Sequence, residues 1–286
     1  MRLIKVNLPR DHKLFLTGDF HEGTILQHTK GINEMQHMVM SSKNNFVVLT
    51  GDLAEAIIID DKRYYKDTED PNASVPLLQY KSIKQKLQPI RSRILVALDG
   101  NHDFKLSKYG NFVRDIFCKN DKGDEDICYG TYSCILSVHD KKDKLMYQHF
   151  ITHGNGSINS AADSPIRRES NMQLTLKRKL WRKIGNCFLM AMAHSHKLIV
   201  AEPTKDFYLL NEGGKIKEHY TKEIQVADYI DPDMRYYINT GSFLRVYADE
   251  PVSGYVERMM LDPVQLGFPI VNVEDGIVTG VKKVFL

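Results

Sequence analysis

The sequence predicts an α/β fold with mixed β-sheets, on three observations. In its first third, short continuous apolar runs alternate with stretches of helical periodicity, the pattern of βαβ units whose strands are buried on both faces. In its last third, strand-like pieces recur at short intervals between Gly, Asp and Pro, which favours antiparallel pairing. The Asp, His and Asn residues with the strongest chemistry stand directly after apolar runs, at the carboxyl ends of strands, where open α/β sheets bind ligands.

Taken in order, Leu14–Leu16 is a strand leading to Asp19. Thr24–Met40 carries Ile25, Ile32, Met35 and Val39 at helical spacing. Phe46–Leu49 is a second buried strand, ending near Asp52. A helix is expected within Ser74–Leu87, interrupted early by Pro76 and stopped before Pro89. Ile94–Leu98 is a third strand, ending at Gly100-Asn101. Thr131–Val138 and Met146–Thr152 read as neighbouring strands joined by the charged turn His139–Lys144. Asn171–Ile184 reads as a helix, and Cys187–Ala193 as a strand with Met190 and Met192 in the core. Leu198–Val200, Phe207–Leu210, Tyr236–Ile238, Phe243–Val246, Tyr255–Met259 and Ile270–Val273 are the later strand-like pieces. The charged stretches Asp60–Pro71 and Asn120–Asp126 are expected to be surface loops.

The chain has 286 residues, 42% hydrophobic and 26% charged, enough for a large core. We expect one domain over residues 1–286 with a helical insertion around 157–185. A net charge of +3 does not by itself argue for nucleic acid. Cys118, Cys128, Cys134 and Cys187 show no C-x-x-C spacing, and no secretion signal precedes them, so they read as reduced thiols of a cytoplasmic protein. The longest apolar stretch, Cys187–Ala193, is far too short to span a bilayer, and no membrane partner is expected.

Five short motifs carry the chemistry: Asp19-Phe20-His21, Gly51-Asp52, Gly100-Asn101-His102-Asp103, His153-Gly154 and His194-Ser195-His196. Asp19, His21, Asp52, Asn101, His153, His194 and His196 supply carboxylate, amide and imidazole donors. This mixed N/O set suits Mn²⁺, Fe²⁺ or Zn²⁺ better than Mg²⁺ or Ca²⁺. Seven ligands exceed one tetrahedral zinc site and suffice for two ions sharing a carboxylate. Two ions about 3.5–4 Å apart polarise a phosphoryl oxygen and lower the pKa of a bridging water, the expected nucleophile. His102, with Asp103 beside it, reads as a general acid with an orienting carboxylate.

This set of motifs, from Asp19 to His196, resembles the calcineurin-like metallophosphoesterase superfamily, with Asn239-Thr240-Gly241-Ser242 similar to its last strand-turn. The resemblance implies a four-layer α-β-β-α sandwich. It implies one metal held by Asp19, His21, Asp52 and His196, and a second held by Asp52, Asn101, His153 and His194. Asp52 would bridge, and His102 would protonate the leaving oxygen or stabilise its charge. There are departures. Ala193 stands where the superfamily commonly has Gly, and Gly51-Asp52 continues Leu53-Ala54-Glu55, without the D-R-G of the Ser/Thr protein phosphatases. Asp103 replaces their Glu, which argues against a phosphoprotein phosphatase. The G-N-H-D and D-x-H-x-G patterns, the latter completed by Gly23, also occur in nucleases of the superfamily, and the tail Gly241–Ile270 is similar to bacteriophage-borne members.

His12, His28, His37, His139, His149 and His219 read as ordinary surface or core histidines. The run Lys177-Arg178-Lys179-Leu180-Trp181-Arg182-Lys183 reads as a solvated helix face or as a phosphate-backbone contact, which Arg167 and Arg168 could join. Tyr64 and Tyr65 can stack a base or pack on the core edge. Three functions stay open: a phosphodiesterase on nucleic acid or nucleotides, a phosphomonoesterase on a small substrate, and a catalytically silent metal-binding scaffold.

Overall fold

The computed structural model describes residues 1–247 and 252–286. Its regular elements, in chain order, are β1 (Arg2–Asn7), β2 (His12–Thr17), α1 (Thr29–Met40), β3 (Asn45–Leu49), α2 (Pro76–Lys86), β4 (Ile94–Ala97), α3 (Asn101–Lys105), β5 (Cys128–Tyr129), β6 (Ser133–His139) and β7 (Leu145–Thr152). There follow α4 (Pro165–Leu180), β8 (Leu189–Met192), β9 (Leu198–Ala201), β10 (Phe207–Glu212), β11 (Lys215–Tyr220), β12 (Tyr236–Thr240), α5 (Tyr255–Arg258), β13 (Gly267–Glu274) and β14 (Ile277–Phe285).

Two mixed six-stranded sheets face each other. One runs β14-β13-β2-β3-β4-β5 and the other β1-β6-β7-β8-β12-β9. The period-2 alternation of the strands sorts side chains into layers. Phe15, Val47 and Leu49 pack against Ile32, Met35 and Val39 of α1 and Tyr80 and Ile83 of α2. Leu14, Leu16 and Val48 point the other way and meet Leu136, Ile151, Ala191 and Ile238 of the second sheet. The far face of that sheet, Phe150, Met190, Met192 and Tyr237, takes Leu176 and Leu180 of α4. The result is the expected four-layer α-β-β-α sandwich. β2, β3 and β4 are parallel, as are β7, β8 and β12. Their carboxyl ends therefore converge on one rim, and every motif lies at that rim.

Several sequence expectations are corrected. Tyr255–Met259 is a helical turn, α5, and not a strand; a short apolar run does not distinguish the two periods. Phe243–Val246 is not a strand either, because its backbone is spent elsewhere: Phe243 N–H donates to Asp19 O (3.1 Å), and Leu244 makes an isolated bridge to Gln27. The first helix begins at Thr29, since Thr24 and Gln27 are held in bridges to Glu69 and Leu244. Pro76 does not interrupt α2; it occupies the first turn, where a missing N–H costs nothing. The later helix starts at Pro165 for the same reason and stops at Leu180, short of Ile184. The strands β1, β5, β11 and β14 were not anticipated. Each has a neighbour on one side only, and none is a continuous buried run, as at a free edge. In the last third β9–β12, β10–β11 and β13–β14 are antiparallel as expected, with β8–β12 the parallel exception. The tail Gly241–Ile270 crosses residues 248–251, which lie outside the described residues.

Candidate active site

The rim loops are bent hard to aim side chains inward. Asp19, His21, Asp52, His194 and His196 all sit at positive φ, between 48° and 69°. Such backbone costs about 1–3 kcal/mol per residue and persists only where the surroundings enforce it. Here they do. Asp19 N–H donates to Gly51 O (3.0 Å), and Phe20 and His21 N–H both donate to Asp52 O (2.9 and 3.1 Å). The Ser242 hydroxyl donates to Asp19 O (3.1 Å), so the Asn239–Ser242 turn braces the first motif. Asn239 Nδ2 braces the last one by donating to Ser195 Oγ (2.6 Å). Gly100 is required by closeness, since a Cβ there would fall inside the Asp52 carboxylate. Ala193 is fully buried and outside the left-handed region, so its methyl replaces glycine without backbone strain.

All seven expected ligands come together. Asp19, His21 and His196 form one cluster: His196 Nε2 lies 3.6 Å and His21 Nε2 4.0 Å from Asp19 Oδ1, and the two imidazole nitrogens are 3.3 Å apart. Asp52, His153 and His194 form another, with Asn101 at its centre. The Asn101 amide atom aimed inward is 2.6 Å from His194 Nδ1, 2.9 Å from His153 Nε2 and 3.2 Å from Asp52 Oδ2. Asp52 joins the clusters. Its Oδ1 accepts His102 N–H (2.8 Å), while Oδ2 faces His153 Nε2 at 3.4 Å and His21 Nε2 at 3.9 Å.

These atoms fit divalent ions. They are nearly all lone-pair donors facing one another, and Asp19 Oδ1 is buried with no hydrogen-bond donor among the described residues. Ligands bound at about 2.1 Å and about 90–110° to one another stand roughly 3.0–3.4 Å apart, close to the separations found. Without an ion, protons do part of that work. Burial pushes the Asp19 carboxyl up to about 7, aided by Asp52. Burial works against charge on His153, but Asp52 and Asp19 outweigh it and hold His153 up to about 9. Burial and the His153 charge lower His194 to about 4.

Second partners fix the ring orientations. His153 Nδ1–H donates to Thr50 O (2.9 Å), leaving Nε2 to the cluster. His21 Nδ1–H donates to Glu55 Oε2 (2.7 Å). Sequence reasoning missed Glu55, although a carboxylate three residues after Asp52 in the same loop was the available signal.

The expected pairing of Asp103 with His102 is corrected. Asp103 accepts from Gly100 N–H (2.7 Å) and from the Tyr80 hydroxyl, because successive residues of α3 point in different directions. His102 instead donates its Nδ1–H to Glu55 O, and its Nε2 accepts from Arg63 Nη1 (2.8 Å). Arg63 comes from the Asp60–Pro71 loop, which is folded against the site and is not simply exposed. No sequence signal marked it.

Beside Asn101 a cavity of about 940 Å³ opens. Arg178, Lys179 and Lys183 of α4 and the turn after it line it together with Phe104, Tyr132 and Phe150; among the described residues no carboxylate lines it. The rest of the basic run is engaged elsewhere. Lys177 pairs with Asp233, and the Arg182 guanidinium lies 4.8 Å from the Trp181 ring centre.

A family profile for calcineurin-like phosphoesterases matches residues 12–221. The chain belongs to that family. Its members are metal-dependent hydrolases of phosphoester bonds, and the clusters just described could hold the divalent ions that this chemistry uses. Among solved structures, this phosphoesterase is similar to the calcineurin-like phosphoesterase YfkN from Bacillus subtilis, at 13% identity over 96% of this chain and 90% of that one. The TM-score of 0.37 is too low for that overlay to carry weight. No curated protein matches the sequence. Among the described residues no helix is long and apolar enough to cross a membrane.

Proposed function

We propose that this phosphoesterase is a phosphodiesterase acting on nucleic acid or nucleotides. In this reading Asp19, His21, Asp52 and His196 hold one divalent ion, and Asp52, Asn101, His153 and His194 hold the other. The mixed nitrogen and oxygen donors favour Mn²⁺, with Fe²⁺ or Zn²⁺ as alternatives. Bound ions would polarise the phosphoryl oxygen and acidify the attacking water. The protein's own part is to place the scissile phosphate beside His102, with Asp52 shared between the ion sites and Glu55 and Thr50 O fixing the imidazoles.

The cavity beside Asn101 carries the choice of substrate. A diester has a second organic arm beyond the scissile phosphate, and in a nucleic acid that arm is itself anionic. A cavity lined by three cations, three aromatic rings and, among the described residues, no carboxylate suits such an arm. Helix α4, inserted between the His153 and His194 motifs, supplies most of its charge.

The test compares bis-p-nitrophenyl phosphate with p-nitrophenyl phosphate under Mn²⁺, alongside oligonucleotide binding across a salt series. Faster diester hydrolysis and salt-dependent binding are expected. Replacing Arg178, Lys179 and Lys183 together by Gln should flatten the slope of log K against log salt by about 0.7–0.9 per lost phosphate contact. The ratio of oligonucleotide to bis-p-nitrophenyl phosphate hydrolysis should fall with it. Faster monoester hydrolysis, with no salt-dependent binding by the wild type, would assign a small monoester instead.

A further inference from the structure

We infer that Arg63 is a catalytic residue of this site, gripping a non-bridging phosphoryl oxygen of the substrate. Three observations lead there. Arg63 is the one lysine or arginine whose side chain makes a hydrogen bond to any residue of the five motifs among the described residues. Its Nη1 is 2.8 Å from His102 Nε2, and the ligand atoms of His102, His21 and Asp52 all lie within 4.8 Å of one another. The guanidinium is thus at the edge of the two clusters, within reach of a phosphate held between them.

The second observation is how it is held. Asp61 takes one edge of the fork, accepting from Nε (3.1 Å) and Nη2 (3.0 Å), and also accepts Arg63 N–H (3.0 Å). Lys105 Nζ caps the same carboxylate at 2.8 Å. Asp61 therefore stays ionised, with the Arg63 and Lys105 hydrogen bonds holding its carboxyl below the usual range. The anchor is a short local turn and does not depend on the motifs. A guanidinium has five N–H bonds. Asp61 uses two and His102 one, which leaves one on each terminal nitrogen with no partner among the described residues. One N–H on each terminal nitrogen is enough to meet the oxygens of a phosphoryl group.

The third observation concerns charge. The groups around the motifs are carboxylates, an amide and imidazoles, and the cations of α4 line the cavity beside Asn101 with no side-chain hydrogen bond to a motif residue among the described residues. Arg63 is then the fixed positive side chain available for the oxygens on which charge builds during displacement. Asp61 is a positioning residue for it, and His102 Nε2 holds it until an anion arrives. The inference applies to any phosphoester the site takes, so it stands or falls separately from the preference for nucleic acid.

The experiment uses Arg63→Ala and Arg63→Lys in the full chain reconstituted with Mn²⁺. Metal content, affinity for inorganic phosphate by calorimetry, and hydrolysis of bis-p-nitrophenyl phosphate are measured. Arg63→Ala is expected to keep the wild-type metal content, bind phosphate at least about tenfold more weakly and lose about 10²–10³-fold in kcat, the usual loss for one donor to a developing oxyanion. Arg63→Lys should fall between, and free guanidinium should restore part of the Arg63→Ala activity. Wild-type phosphate affinity in Arg63→Ala overturns the inference even if kcat falls, since Arg63 would then only position His102. Loss of metal along with activity overturns it equally, because Arg63 would then be part of the metal scaffold.

Discussion

Glu55→Gln isolates what the loop after Asp52 does for one metal site. Glu55 Oε2 accepts His21 Nδ1–H at 2.7 Å and lies 3.9 Å from His102 Nδ1. Glutamine keeps an acceptor of the same reach and removes only the charge. Loss of such a partner typically costs about 10–100-fold in metal affinity, or about 1.4–2.7 kcal/mol. Because the hydrogen bond survives, the expectation is the lower end, about tenfold, and Glu55→Ala should approach the upper end. Only the His21 site should weaken, since His153 is oriented independently by Thr50 O. Glu55 also favours the proton that His21 must shed to bind an ion. Burial opposes that proton, but Glu55, followed by Asp52 and Asp19, holds His21 up to about 9. The defect should therefore grow as the pH of the titration rises toward 9. The assay is chelator-competition titration, resolving two binding steps. Equal weakening of both steps, or a defect that shrinks with pH, would refute the assignment of Glu55 to His21.

Asp52→Asn should lower bound metal at both sites, because Oδ2 faces both clusters; elemental analysis after Mn²⁺ reconstitution would show whether one site survives. His149, fully buried with neither ring nitrogen hydrogen-bonded among the described residues, has its pKa pushed down to about 3 by burial. The unfolded chain then carries one more proton than the folded one between about pH 3 and 6.5, so this histidine removes stability as pH falls through that window. His149→Leu should flatten the pH dependence of urea unfolding there by about 1.4 kcal/mol per pH unit, and an unchanged slope would show that His149 protonates in the folded state.

What was legible in the sequence follows from which physical signals are local. Buried strands such as Phe46–Leu49 and Ile94–Ala97 announce themselves because both faces are covered, so every position is apolar. The strand β1 does not, because Arg2, Leu3, Lys5 and Asn7 are exposed around the buried Ile4, and polar residues break its apolar run. The motif residues could be grouped because each follows such a strand. Their orienting partners could not. Thr50 acts through a backbone carbonyl that any residue would supply. Arg63 reaches His102 across 39 positions from a loop of ordinary charged composition. Asp103 was misread because adjacency in sequence says nothing about facing on a helix, and its real partner, Tyr80, lies 23 positions back. Phe243 was misread because an apolar residue next to a β-strand can be held by the site instead, here stacked on Phe20 at 4.7 Å.

The clusters straddle a seam. Asp19, Asp52 and Asn101 leave the ends of β2, β3 and β4 in one sheet, whereas His153 and His194 leave the ends of β7 and β8 in the other. Neither sheet alone owns a complete set of donors. The 3.4 Å between Asp52 Oδ2 and His153 Nε2 is thus a gauge of how the two sheets sit on one another. Sliding one sheet by an ångström would pull the shared oxygen off one partner while every strand kept its ladder. The stiffness of the layer between them, Leu14, Leu16 and Val48 against Leu136, Ile151 and Ala191, is therefore a catalytic property as much as a structural one.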